Sequence, residues 1–398
     1  MKPKYCSPNS SRNTSSCFSN ESLNIIAKTY NRRYPTKEQI IIPRKMSNDK
    51  QRDEFYKKIS HKMNTITNCS EEYCWVNKMP EFFTEKMKQE FRPIRPKKWN
   101  KNKNTWLSTL DINYVLKQYE VNSNYKYIGA VPIDFDNEIA MGFCVVNELC
   151  KLDIRKIYLH GIRRLGTVFN FDPHSANGSH WVSLYSDFNN GGIYYFDSFA
   201  NIPKPEIDNL MERIRTMGND MIRKNEINII DFDQEHQILA DYEIVDDDCV
   251  LIHHSSFRIL IDTPCYFLTK KSKKSKIPEI FNVTHTKLIG KKQLIFFDKK
   301  INKYPEKGQF IQKGFRKFYN NIRFQYEGSE CGVYSIYFQV ELLKGKTFSQ
   351  VLKNIIDDDT INKQRDFYFR PNDGAKDDDN GIEYEDETDD SGTDDDMN

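Results

Sequence analysis

The sequence predicts an α+β fold, in which a helix with a cysteine in its first turn packs on an antiparallel or mixed sheet carrying a histidine and an aspartate. Three observations predict it. Residues 180–185 and 193–196 read as strands flanking Asp187-Phe188-Asn189-Asn190-Gly191-Gly192, a stretch dense in turn formers, which makes a hairpin. Residues 205–223 place Ile207, Leu210, Met211, Ile214 and Met217 at helical spacing. Residues 331–343 do the same through Val333, Ile336, Tyr337 and Val340, with Cys331 at the start and Gly345 as a stop. A hairpin folded about the middle of its turn, near position 188.5, sets residue 180 opposite residue 197. Cross-strand partners share a face, with Cβ atoms roughly 4.5–5.5 Å apart, so His180 and Asp197 are predicted neighbours.

The remaining elements follow in chain order. Residues 1–75, rich in Ser, Asn, Lys and Arg, read as a basic low-complexity arm, mobile or loosely attached, with a short helix around Gln51–Met63. A basic segment, 78–104, leads to an apolar-faced helix through Trp106, Leu107, Leu110, Ile112, Val115 and Leu116. Residues 76–370 form the main domain, with an insertion at about 230–315. Its apolar runs Ile227–Ile230, Val250–Ile252, Phe257–Ile261 and Leu294–Phe297 suit strands, and Lys270–Lys276 suits a solvated loop. Residues 371–398 hold thirteen Asp or Glu against one Lys, a net of −12 in a chain of net +2, so residues 1–370 carry about +14. Such a tail repels itself and is predicted to be disordered.

Bulk composition sets outer bounds. With 398 residues, 38% hydrophobic, 29% charged and 13% aromatic, the chain is polar yet able to bury a core. No run approaches eighteen apolar residues and residues 1–30 lack an apolar signal core, so neither a membrane span nor a secretory signal is expected. Nine cysteines, odd in number and irregularly spaced in a long chain, predict a reducing compartment and argue against a disulfide framework.

The chemistry-bearing residues are His180, Asp197, Gln325 and Cys331. A thiol attacks as thiolate, and two devices lower its pKa: a helix N-terminus and a neighbouring imidazolium. Cys331 has the first by position and meets the second if His180 is its base, with Asp197 to fix the base's orientation. Acyl transfer also needs donors for the developing oxyanion, each worth roughly 2.7–4 kcal/mol by mutational precedent. The backbone N–H of Cys331 and the side-chain amide of Gln325 suit that role, and Gly332 permits close backbone approach. Each residue alone has a plainer reading: a core cysteine, a structural histidine, a turn aspartate, a surface amide. Those readings leave their order and spacing unaccounted for.

His180-Trp181, Asp197, Gln325 and Glu330-Cys331-Gly332 together resemble the His/Asp/Gln/Cys signature of the ubiquitin-like-protein proteases, a clan of cysteine peptidases that includes SUMO proteases and adenain. Trp106-Leu107-Ser108-Thr109-Leu110-Asp111-Ile112-Asn113 resembles the opening helix of the SUMO proteases. Asn321-Ile322-Arg323-Phe324-Gln325, Met211-Glu212-Arg213 and Glu330 are more similar to the polyprotein-processing protease of African swine fever virus, a large DNA virus. The likeness spans about residues 100–350 and is most specific at 179–198 and 321–338. Two features depart from it: the segment between Asp197 and Gln325 is longer than in minimal members, and Asp197 follows the cellular enzymes where the viral enzyme is expected to carry Asn.

The resemblance implies a papain-like α+β fold and a thiol protease acting through a thioester, with Trp106 and Trp181 clamping glycines before the scissile bond. It implies cleavage after Gly-Gly-x-like motifs in viral structural polyproteins, in the virion and host cytoplasm. Removal of ubiquitin-like modifiers is the alternative, followed by a Cys/His/Asp acyltransferase and an inactive binding module. The expected partner is a protein substrate. The basic arm could add non-specific nucleic-acid contact through phosphates. No cofactor is expected. No metal is expected either, since Cys249, His253, His254 and Cys265 match no standard zinc spacing and Cys69/Cys74 no better.

Overall fold

The computed structural model describes residues 5–8, 15–102, 104–121, 124–227, 238–253, 264–269, 281–301, 308–312 and 314–372. The acidic tail from 373 onward, the run Phe257–Ile261 and the Lys270–Lys276 loop lie outside the described residues. The chain divides into two compact units: Met1–Arg95 with Ser175–Ser179 and Arg370–Asn398, and Pro96–His174 with His180–Phe369.

The first unit is helical: α1 (Asn20–Arg33), α2 (Asp49–Thr67), α3 (Glu72–Lys78) and α4 (Glu85–Lys88). Ser19 caps α1 by accepting from Ser22 N, and Asn48 caps α2 by accepting from Gln51 N. Leu23, Ile26 and Tyr30 on α1 and Phe55, Ile59 and Met63 on α2 pack with Trp75, Phe83 and Phe91 into one core. This corrects the expectation of a low-complexity arm over residues 1–75. The apolar residues recur three and four apart, as an amphipathic helix needs, but so many Lys, Asn and Ser lie between them that composition hides the stripe. The predicted helix at Gln51–Met63 is the central part of α2.

Disulfides are a second correction. Cys6–Cys17 and Cys69–Cys74 are bonded in this unit, and Cys144–Cys150 in the other. Their partners lie only 11, 5 and 6 residues apart in sequence, so the chain-wide count and spacing gave no sign of them. Cys249 and Cys331 are free thiols.

The second unit begins with α5 (Thr109–Lys117), shorter than the predicted helix because Ser108 and Asp111 form a capping box that starts it after Trp106 and Leu107. There follow β1 (Tyr125–Pro132), β2 (Glu138–Ala140), β3 (Phe143–Cys144), α6 (Asn147–Cys150), α7 (Ile154–Leu159), β4 (Arg164–Asn170), β5 (Trp181–Asp187), β6 (Gly192–Phe196) and α8 (Pro205–Arg223). Six strands then precede the sheet's last member: β7 (Ile238–Asp246), β8 (Cys249–His253), β9 (Pro264–Thr269), β10 (Phe281–Ile289), β11 (Lys292–Phe297) and β12 (Gly308–Gln312). The unit closes with β13 (Arg316–Tyr319), α9 (Cys331–Leu343), α10 (Phe348–Lys353) and α11 (Asp358–Tyr368).

The main sheet has the order β1-β4-β5-β6-β13. It is mixed: the β4–β5 and β5–β6 pairs are antiparallel, and both edge pairs are parallel. Successive strand residues face opposite sides, and both sides are covered. Trp181, Tyr185, Tyr194 and Phe196 pack with α9, whereas Val182, Leu184, Ile193 and Tyr195 pack with α8. This double burial is why β5 and β6 read as nearly continuous apolar runs. The inserted strands form a separate closed barrel, β10-β11-β8-β7-β12-β9, around Val250, Ile252, Phe281, Val283, Ile295 and Phe297. Among the described residues no helix is long and apolar enough to cross a membrane.

Candidate active site

The hairpin that carries the base is tighter than the sequence reading placed it. Its register pairs Asp187 with Gly192 and Ser183 with Phe196, so the fold centre lies one residue later than predicted, around a loop closed by Gly191 at φ +74°. The register therefore shifts by two positions, which keeps every side chain on its face. His180 stands just before β5 and Asp197 just after β6, diagonal rather than directly opposite, and their side chains still meet: His180 Nε2 lies 2.7 Å from Asp197 Oδ1. Both are buried.

Asp197 is held from several sides. Phe199 N donates to its Oδ1 at 2.8 Å and Asn201 Nδ2 to its Oδ2 at 2.9 Å. The Asn320 side chain, just past β13, bonds the Asp197 backbone twice: Asp197 N donates to Asn320 Oδ1 at 2.9 Å, and Asn320 Nδ2 donates to Asp197 O at 2.7 Å. An amide side chain thus continues the sheet pairing one step beyond the strand end. The imidazole is fixed in plane as well, stacked on Phe199 with centroids 4.8 Å apart and edge-on to Phe171 at 5.1 Å.

Cys331 is the first residue of α9, as predicted. Glu330 precedes it without a side-chain cap, so Cys331 sits among first-turn N–H groups that no capping side chain takes up, at the positive end of the helix. Cys331 and His180 interact directly. Burial lowers the imidazole's pKa, but the Asp197 hydrogen bond and the Cys331 sulfur, by hydrogen bond and by charge, more than reverse this and carry it up to about 9. With Nε2 on Asp197, Nδ1 is the ring nitrogen left for the sulfur. At neutral pH the imidazole is therefore protonated and lies beside the sulfur that would attack.

Gln325 is fully buried and its amide orientation is fixed: Ser198 Oγ donates to Oε1 at 2.6 Å, and Nε2 donates to Glu327 O at 2.7 Å. A Gln amide has two N–H groups, so one remains for an oxyanion. Trp181 and Trp106 differ. Trp181 is buried, its indole N–H donates to Leu107 O at 3.0 Å, and its Cδ1 lies 3.3 Å from where a Cβ on Gly332 would stand. Trp106 is 40% exposed. Of the cysteine–histidine group weighed as zinc ligands, His254 lies outside the described residues, and among the described residues no three His, Cys, Asp or Glu side chains gather into a metal site. Sequence reasoning missed Asn320, Asn201, Phe171 and Phe199: the Phe199 N–H and Asn201 bond Asp197 locally, in a turn that Asp197-Ser198 could have signalled, whereas Asn320 and Phe171 reach the site only through the fold.

Fold and site together define an α+β unit in which a buried His–Asp pair faces a cysteine at a helix start, an arrangement chemically able to carry acyl transfer to sulfur. Comparison with known proteins agrees with the thiol-protease resemblance. Over 271 residues the chain is 27% identical to a protein of Acanthamoeba polyphaga mimivirus named provisionally as a thiol protease, a match covering 67% of this chain and 57% of that protein. The chain thus spans little more than half the length of this curated relative. Among solved structures it is similar to a crystal structure of an ASFV protease, with 15% identity, 93% and 97% of the two chains covered and a TM-score of 0.49. It is also similar to a SUMO protease with an oxidised catalytic cysteine, with 14% identity, 66% and 75% covered and a TM-score of 0.33. No family model matches the chain.

Proposed function

We propose that the protein is a cysteine endopeptidase that cleaves after Gly-containing, Gly-Gly-x-like motifs and processes viral structural polyproteins during virion maturation, in the virion and host cytoplasm. The observation that carries the catalytic part is the buried His180–Asp197 pair against the Cys331 sulfur at the start of α9. Cys331 Sγ adds to the scissile carbonyl carbon, and the oxygen takes the negative charge towards the Cys331 N–H and the Gln325 amide. The C–N bond breaks as His180 gives its proton to the departing amine, leaving a thioester. Water, deprotonated by His180, then splits the thioester and restores the thiol. Trp181 over Gly332, with the exposed Trp106 beside Leu107, supports a narrow wall for substrate glycine. The mimivirus relative, named provisionally as a thiol protease, supports the protease reading.

The test incubates the purified full chain with Gly-Gly-x peptides, and separately with SUMO and ubiquitin conjugates, reading cleavage sites by mass spectrometry. Peptide cleavage after Gly is expected. Cys331→Ala and His180→Ala should each lower kcat by at least about 10³-fold, with Asp197→Ala losing less, because nucleophile and base act as one unit. More than a trace of activity in Cys331→Ala would sink the assignment. Cleavage of the conjugates alone would replace polyprotein processing with isopeptidase action.

A further inference from the structure

The loop from Gln325 to Glu330 carries one oxyanion donor at its start and delivers the other, the Cys331 N–H, at its end. It has no regular secondary structure of its own, so something else must hold it. One face of α11 does so, through Asp358, Asn362 and Arg365, at spacings of four and three that put them on one side of the helix. Asp358 Oδ2 accepts from Tyr326 N at 2.8 Å and from Glu327 N at 3.0 Å. Asn362 Nδ2 donates to Glu330 Oε1 at 2.9 Å. Arg365 donates from Nη2 to Ser329 O at 3.1 Å, from Nη1 to Thr105 O at 2.7 Å and from Nε to Asn362 Oδ1 at 2.9 Å, its guanidinium 4.9 Å from the centre of the Trp99 ring.

Asp358 and Arg365 are buried. Burial lowers the pKa of Arg365 to about 10, so it stays charged at neutral pH. Its fork therefore ties two backbone segments together: the residue before Trp106 and the residue two before the nucleophile.

We propose that Asp358, Asn362 and Arg365 are positioning residues: together they set where the two oxyanion donors stand relative to Cys331, and Arg365 also fixes the spacing between the Trp106 segment and the nucleophile loop. The inference rests on the protease reading for its kinetic consequence and on geometry for its cause. A fork that bonds two carbonyls at once cannot be replaced by a point charge, so Arg365→Lys keeps the cation near Cys331 and loses the bridge. Since misplacement of about 1 Å can cost about a hundredfold, kcat should fall about tenfold to a hundredfold while KM stays within about twofold.

Two measurements separate this from a merely structural role and from failure of the protease reading. Alkylation of Cys331 by iodoacetamide across pH needs no substrate. In Arg365→Lys its profile should match wild type, because the charge remains, while kcat drops. Asn362→Ala, a milder change, should lower kcat about three- to tenfold in a protein that still melts cooperatively well above the assay temperature, and it serves if Arg365→Lys does not fold. The proposal is overturned if the folded Arg365→Lys enzyme, or Asn362→Ala in its place, keeps wild-type kcat. It is also overturned if Arg365→Lys lowers kcat only in step with an altered alkylation profile, which would make its role electrostatic. If wild type alkylates at Cys331 but cleaves nothing, the protease reading fails on its own account.

Discussion

His180 has one ring nitrogen committed to a buried carboxylate, the other turned to sulfur, and an aromatic ring against its face; that setting decides its charge. Its pKa is raised to about 9 from an ordinary 6.5, despite burial, by Asp197 and by the charge on Cys331. A group whose folded pKa is raised contributes stability that is fully present below its unfolded value and lost as pH rises through the folded one. His180 thus stabilises the fold below about pH 6.5, and the contribution fades as pH climbs through about 9. Removing the sulfur removes two of the raising causes. In Cys331→Ala the His180 titration, followed by NMR of the ring protons, should move down from about 9 while remaining coupled to Asp197. An unchanged titration would mean that the sulfur is not the second partner of this ring. At this scale most of the site was legible in sequence: the cysteine at a helix start, and the histidine and aspartate on one face of a hairpin. The two-residue register error did no harm because a pleated strand repeats every two residues. Asn320, Asp358 and Arg365 were not legible, because each acts on backbone groups brought near by the fold, and a backbone group leaves no trace in the side-chain pattern.

Among the elements, α9 and the sheet depend on a close approach that only a glycine permits. On β4, a Cβ at Gly166 would lie 2.2 Å from both Gln339 Oε1 and Tyr125 Oη. Those two atoms are hydrogen-bonded to each other, and Gln339 Nε2 donates to Thr167 O at 3.0 Å and Ser183 Oγ at 2.9 Å, so one buried amide ties α9 to β1, β4 and β5. Neither side chain can swing aside, as both are buried. Gly166→Ala should therefore cost about 1–3 kcal/mol or more, from overpacking and broken hydrogen bonds, read as a lower urea midpoint. Gly328→Ala, where an added Cβ meets nothing within 4 Å, is the control and should leave the midpoint unchanged. The helices α8 and α9 and the hairpin were legible because their apolar periodicity is strong. The helices of the first unit were not, because their stripe is thin and set in polar residues, although Phe55, Ile59 and Met63 are four apart.

At the scale of the molecule, the barrel between α8 and β13 is the largest departure from a minimal catalytic unit, and its attachment suggests that the unit can do without it. Both ends are anchored in the core beneath α8: Ile227 and Phe315 are buried there, Phe315 N donates to Asn219 Oδ1 at 2.7 Å, and its ring lies where a Cβ on Gly218 would stand. The barrel has its own core and its own closed set of strand pairs. None of His180, Asp197, Gln325 and Cys331 takes a hydrogen bond from it among the contacts described above. What the site needs from this region begins after the barrel, in β13, which pairs with β6 and leads to Asn320. Replacing residues 230–312 with a flexible Gly/Ser linker of about ten residues, whose r.m.s. span is roughly 17–19 Å, should leave α8 and β13 in place. The shortened chain should melt in a single transition and cleave a short Gly-Gly-x peptide with kcat within about threefold of the parent, since lengthening or shortening a surface connection costs little. Protein substrates are the sharper readout: if the barrel selects them, kcat/KM for a polyprotein should fall while that for the peptide does not. A folded deletion variant that fails on the short peptide would instead make the barrel part of the catalytic structure, and the anchoring at Ile227 and Phe315 would then be a path by which it supports β13 and Asn320.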